Sequence, residues 1–210
     1  MTLALRYKPR DTSEYVWCDG TMLKIYDRFK SSGCIDNTLL HGDTGVGKTA
    51  FFDALFYELK VCESYGNLHR FKTNSAGSGN DEVAELQRIT AHYLGIGGGH
   101  NKCVIFIDEL DQLKDNTFKW LKMHMEPLSK LFVFCGATNH LNKIPPAVAG
   151  RFNITHELRH ATADLILARV KTILQREAVP LPSDADLRGI IARKRHCVRE
   201  ILNAVDLRYC

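Results

Sequence analysis

Apolar residues in this chain follow two spacings, and each spacing predicts a different element. Unbroken apolar runs stand within 37–41, at Cys103-Val104-Ile105-Phe106-Ile107, and at Leu131-Phe132-Val133-Phe134-Cys135-Gly136-Ala137. Runs of this length without polar alternation read as parallel strands covered on both faces. Weaker strand candidates lie at 68–73 and 153–158. Between them, apolar residues recur at helical spacing: Phe52, Leu55, Phe56 and Leu59; Val83, Leu86, Ile89 and Tyr93; Phe118, Leu121 and Met125. Strands alternating with helices predict an α/β fold around a five-stranded parallel sheet. Beyond residue 158 the strand spacing stops. Ile166, Val170, Ile173 and Leu174 form one amphipathic stripe, which Val179-Pro180-Leu181-Pro182 breaks. Ser183 is placed to cap a second helix, with Asp184 and Asp186 in its first turn, where the helix dipole favours acids. Val198, Ile201, Leu202 and Val205 make a third stripe. The expected organisation is an α/β domain over 1–157 and a small three-helix lid over 158–210.

The junction after the first strand carries chemistry. Gly42-Asp43-Thr44-Gly45-Val46-Gly47-Lys48-Thr49 meets every requirement of the phosphate-binding pattern Gly, four free residues, Gly-Lys-Ser/Thr. Its glycines let backbone N–H groups curl around a phosphate where a Cβ would obstruct. Lys48 would neutralise the β- and γ-phosphates, and Thr49 would offer its hydroxyl to Mg²⁺. Strand, glycine loop and helix in that order is what this mechanism requires, so the chain is expected to bind a nucleoside triphosphate, ATP, with Mg²⁺.

Two further strand ends carry polar groups. The run ending at Ile107 leads into Asp108 and Glu109, at the end of a strand where open α/β sheets bind ligands. Asp108 would hold the metal, and Glu109 would polarise the attacking water as general base, which favours hydrolysis over mere binding. The run 131–137 ends in Thr138-Asn139, and Asn139 could touch the γ-phosphate or the water provided this strand and the one ending at Ile107 pair next to the strand of the glycine loop. An Asn that only turns the chain is the alternative.

Composition adds bounds. Of 210 residues, 45% are apolar and 25% charged, as in a globular protein with a sizeable core. The net charge of +4 does not by itself point to nucleic acid. Seven cysteines form no Cys-x-x-Cys pair, which argues against a zinc site or a disulfide framework. No apolar stretch approaches the ~18 residues of a membrane span, and the charged first ten residues do not form a signal peptide. A cytoplasmic or nucleoid-associated protein is expected, neither secreted nor held in a membrane.

Taken in order, these parts resemble the AAA+ ATPases, and among them the clamp-loader subunits, over nearly the whole chain. Leu5-Arg6-Tyr7-Lys8-Pro9-Arg10 and then Val16 look like the N-terminal arm of that family, which implies that Tyr7, Pro9 and Val16 border the adenine. The stretch from Asp108-Glu109-Leu110-Asp111 to Met125-Glu126-Pro127-Leu128-Ser129 is similar to the Walker B strand and its following helix, and Ala137-Thr138-Asn139 to sensor 1. Gly150-Arg151-Phe152 stands where clamp loaders carry Ser-Arg-Cys, so Arg151 would be an arginine finger acting on a neighbour's γ-phosphate. It lacks the flanking Ser and Cys. The segment 196–203 occupies the sensor 2 position, which would aim Arg199 at the nucleotide. The sequence ends at Cys210, soon after that helix, so the collar that joins clamp-loader subunits is not expected in it. Assembly would then come through AAA+ faces, as a homo- or hetero-oligomer, or from another protein.

For DNA two readings stand side by side. Ser75, Ser78 and Asn80 precede or open a helix, where N–H groups suit a phosphate, but an ordinary capping loop with Asn80 as cap accounts for them too. Lys114, Lys119 and Lys122 surround the helix of Phe118 and Leu121, either as backbone contacts to DNA or as a solvated face. The leading expectation is an ATPase that assembles on DNA and is switched by hydrolysis, with a clamp-loader-like role in replication and a clamp as protein partner. The alternative is a nucleotide-gated matchmaker serving a helicase or transposase. A protein-unfolding module is a weaker third, because the loop around 95–99 has no aromatic pore motif.

Overall fold

Strands β1 (Thr38–His41), β2 (Leu68–Phe71), β3 (Cys103–Ile107), β4 (Phe132–Thr138) and β5 (Ile154–Glu157) pair in the order β2-β3-β4-β1-β5. All four pairings are parallel, as the unbroken apolar runs predict. The computed structural model describes residues 1–61, 67–71, 79–95 and 102–210. Every residue of the inner strands β3 and β4 is buried, whereas the edge strand β5 alternates between half-buried and exposed. That difference explains why 153–158 is a weaker apolar signal than the inner runs: an edge strand needs only one covered face.

Strand ends moved by a residue or two. β4 begins at Phe132 rather than Leu131, although the Leu131 carbonyl already accepts from the Cys103 N–H of β3 at 2.8 Å. It continues to Thr138, which lies in register with His41 of β1. β2 is described only to Phe71; residues 72 and 73 lie outside the described segments.

The chain divides into two compact units. One comprises 29–42 and 59–157 and holds the whole sheet. Its core gathers Leu39 of β1, Ile105 of β3 and Phe134 of β4 with Leu86 and Ile89 of α4 (Gly79–Gly95) and Phe118 and Leu121 of α5 (Asp115–His124). Cys103 is buried there and Cys135 is buried in β4, both as small apolar side chains, and burial pushes the Cys103 thiol up to about 12. Helix α4 opens at Gly79, so Asn80 sits inside the first turn instead of capping it, and its Oδ1 accepts from Asn116 Nδ2 at 3.0 Å. Glu82, buried in the same turn, accepts from the Lys114 N–H at 3.1 Å and the Thr117 hydroxyl at 2.5 Å. A carboxylate thus caps α5 from another helix, and holds the starts of α4 and α5 together.

The other unit comprises 1–28, 43–58 and 158–210. Helices α7 (Ala163–Arg176), α8 (Asp184–Arg193) and α9 (Val198–Tyr209) pack through the three predicted stripes. The Ser183 hydroxyl caps α8 by accepting from the Asp186 N–H at 3.2 Å, as its position in the sequence implies. Leu3 of the short helix α1 (Leu3–Arg6) is fully buried in the same core, and its N–H donates to Asp206 of α9 at 3.3 Å. The N-terminal residues therefore belong to the lid's packing, which their own sequence did not indicate. Among the described residues no helix is long and apolar enough to cross a membrane.

Candidate nucleotide site

Sheet order decides which strand ends lie side by side. β1 ends at His41, opposite Thr138, the last residue of β4, and Ile107 at the end of β3 stands opposite Gly136 of β4. All three strands run the same way, so Gly42, Asn139 and Asp108 leave the sheet from adjacent strands at its carboxyl edge. Ligands of open parallel sheets bind at this edge. β4 pairs with β1 directly while β3 pairs with β4 and not with β1, so Asn139 leaves the sheet between the other two tips.

On β3's tip, Glu109 has φ +53° and ψ +48°, a left-handed conformation that a residue with a Cβ adopts only at a cost of about 1–2 kcal/mol. Its N–H donates to Asp108 Oδ1 at 3.1 Å, and its carboxylate is exposed. Strain of this kind persists where the surroundings impose it, and it concentrates at working sites. Asp111 fixes the neighbouring tip: its Oδ1 accepts from the Thr138 hydroxyl at 2.6 Å and from the Asn139 N–H at 3.3 Å. Burial alone would raise the Asp111 carboxyl, but these hydrogen bonds outweigh it and hold the group below the usual carboxylate range. Asp111 was read only as part of a motif. Its tie to β4 crosses 27 residues, and only the folded chain reveals it.

The glycine loop and α3 (Lys48–Glu58) lie in the other unit, apart from Gly42 itself. Gly45 and Gly47 have φ of +83° and +102°, where an L side chain is strained. A Cβ on Gly45 would run into Cys197 Sγ, and one on Gly47 would stand 3.2 Å from the Tyr15 hydroxyl. The Lys48 side chain is buried, and its Nζ donates to the Asp43 carbonyl at 2.7 Å. Left-handed glycines too crowded for side chains, with a buried cation at the start of a helix, fit a bound phosphate chain. Thr44 and Asp43 are exposed, Val46 is half-buried, and Thr49 lies in the first turn of α3. His160 Nε2 stands 3.7 Å from Asp43.

Cys197, against Gly45, is the N-cap of α9, and Arg199 is exposed in that helix's first turn. The proposed sensor 2 residue thus starts a helix that abuts the glycine loop. In the N-terminal arm, the Tyr7 hydroxyl donates to Glu177 beyond α7 at 2.6 Å, and Val16 packs on the lid core. Pro9 is half-buried. Lys8 Nζ pairs with Asp53 of α3 at 2.5 Å, so the arm reaches the nucleotide-loop helix as well. Arg151 follows the short helix α6 (Pro146–Ala149) and pairs with Glu126; its carbonyl accepts from Asn37 Nδ2 at 3.3 Å.

Of the residues considered for DNA, Lys119 and Lys122 are exposed on α5, and Lys114 is its half-buried N-cap. Ser75 and Ser78 lie outside the described residues, as does most of the loop around 95–99.

The family model for the ATPase family associated with various cellular activities (AAA) matches residues 38–160. Replication factor C subunit 3 of Oryza sativa subsp. japonica is 25% identical over 205 residues, 96% of this chain and 55% of that protein. A replication factor C small subunit of Archaeoglobus fulgidus is 28% identical over 203 residues, 96% of this chain and 61% of that protein. This chain therefore spans little more than half the length of these curated relatives. The solved structure of a Thermotoga maritima RuvB Holliday junction branch migration motor superposes with a TM-score of 0.73 at 22% identity, covering 96% of this chain and 64% of that one, a likeness of fold.

Proposed function

The chain belongs to the AAA family of ATPases, and on that premise we propose that it binds and hydrolyses ATP with Mg²⁺ in an oligomer that grips DNA and lets go after hydrolysis. The observation that carries this reading is the adjacency of the ends of β1, β4 and β3 at one sheet edge. It supports bringing the glycine loop, a polar strand tip and two carboxylates to one γ-phosphate. Lys48 and the loop's N–H groups would hold the phosphates, and Thr49 and Asp108 would hold the metal. Bound there, Mg²⁺ supplies positive charge against the β- and γ-oxygens. Glu109 takes the proton of the attacking water as its oxygen bonds to the γ-phosphorus and the bond to the β,γ-bridging oxygen breaks. Asn139, held by Asp111, orients the water or the γ-phosphate, and Arg199 draws the helix α9 toward it.

Arg151 acts in trans, leaving Glu126 for a neighbour's γ-phosphate when copies assemble through their AAA+ faces. The replication factors among the relatives support a role in DNA replication of the clamp-loader kind. The lysines of α5 suit contacts to a phosphate backbone. The test of the trans arrangement is complementation. Arg151→Ala should lower turnover by about 10³-fold and recover part of it when mixed with Lys48→Ala, each supplying the half that the other lacks. A mixture no more active than its parts would refute action in trans.

A further inference from the structure

Arg151 stands at the far end of the sheet from its own nucleotide loop. Its carbonyl accepts from Asn37 Nδ2 at 3.3 Å, and Asn37 is tied to two neighbouring strands as well. The Asn37 Oδ1 accepts from the Phe134 N–H of β4 at 2.8 Å, and the Asn37 carbonyl from the Ile154 N–H of β5 at 3.1 Å. Arg151 therefore lies at the amino edge, whereas Gly42, Asp108 and Asn139 leave from the carboxyl edge. The four residues of β1 alone separate the two edges by about 13 Å, more than an arginine side chain spans. What the guanidinium meets within one copy is Glu126, in the turn between α5 and β4.

That contact is lopsided. The Glu126 side chain is 77% exposed against 29% for Arg151, and Arg151 Nε is buried with no hydrogen-bond partner among the described residues. An ion pair to an exposed carboxylate shifts an equilibrium by about fivefold at most, and a buried N–H left unmet weakens the arrangement further. A phosphate can instead take two parallel N–H bonds from the guanidinium fork. The pair is strong enough to occupy Arg151 in a lone copy and weak enough to yield to a triphosphate. Resting on the proposed action of Arg151 in trans, we propose that Glu126 is an autoinhibitory restraint, which holds the finger in the free copy and releases it when a neighbour presents a γ-phosphate. Glu126 is then a positioning residue that acts through Arg151 and touches no nucleotide. It sets how readily neighbouring copies activate one another, and leaves the rate of the activated site alone.

Glu126→Gln removes the charge and keeps the shape of an exposed side chain. Turnover is measured with ATP, Mg²⁺ and duplex DNA as the protein is titrated from dilute to saturating. The variant should reach half its maximal rate at a protein concentration about three- to fivefold lower than the parent, with the same maximum. Added to Arg151→Ala, the same change should leave the residual turnover as it is, because no finger remains to be released. An unshifted titration or a lowered maximum overturns the restraint, and so does an equal gain in the Arg151→Ala background. Those results leave action in trans standing as long as Arg151→Ala is itself slow. If Arg151→Ala turns over at the parental rate, the restraint and the trans reading fall together.

Discussion

Replacing Glu109 by Gln should cut ATP turnover by about 10²-fold or more, the usual contribution of a general base, while nucleotide affinity stays near that of the parent. The amide keeps the size and hydrogen-bonding reach of the side chain but cannot accept the proton of the attacking water. Because the Glu109 side chain is exposed, exchanging it should leave the core packing untouched. Its left-handed backbone sharpens the test. Glycine adopts that conformation freely, so Glu109→Gly should be equally inactive without loss of thermal stability, which would separate catalysis from folding. Turnover at the parental rate in either variant would remove Glu109 from the reaction.

Lys48→Ala should have the other large effect, on binding itself. The ammonium group is buried beside the loop, where its charge is poorly screened and its attraction to a polyphosphate correspondingly strong. Truncating one member of a buried charged contact costs at least about 2–5 kcal/mol, a fall in ATP affinity of about 30-fold or more. Calorimetric titration measures it directly. Parental affinity in this variant would contradict the assignment of the Gly42–Thr49 loop.

The contrast between these residues and Glu126 or Asp111 shows what a sequence exposes. Lys48, Thr49 and Asp108 are readable because the chemistry demands neighbours in the chain: a loop must pass directly from strand to helix, and a carboxylate must follow a buried strand. The strands themselves are readable where both faces are covered, as in β3 and β4, and less so at the edge strands β2 and β5, where half the residues are free to be polar. The lid stripes and the Ser183 cap are local patterns and could be read in the same way. Strand order is not local. Nothing in the run 131–137 says that it pairs with both β1 and β3, yet that pairing is what brings Asn139 beside the carboxylates. Asp111, Cys197 and Glu126 take their significance from partners 25 or more residues away: Thr138, Gly45 and Arg151. In the sequence each is an ordinary residue of its type. Leu3 is of the same kind, since four helical residues give too short a stripe to announce a place in the lid core.

On the proposed reading, triphosphate is held at the carboxyl edge of the sheet and its site is completed by a neighbouring copy. The most direct measurement is an imaged structure of the Glu109→Gln protein with ATP and Mg²⁺, with and without duplex DNA. The expected result is an oligomer, favoured by DNA, with triphosphate on the Gly42–Thr49 loop, Asp108 and Asn139 beside it, and Arg151 reaching in from the adjacent subunit. A monomer that holds ATP elsewhere, or an assembly whose Arg151 stays on Glu126 away from every triphosphate, would contradict it.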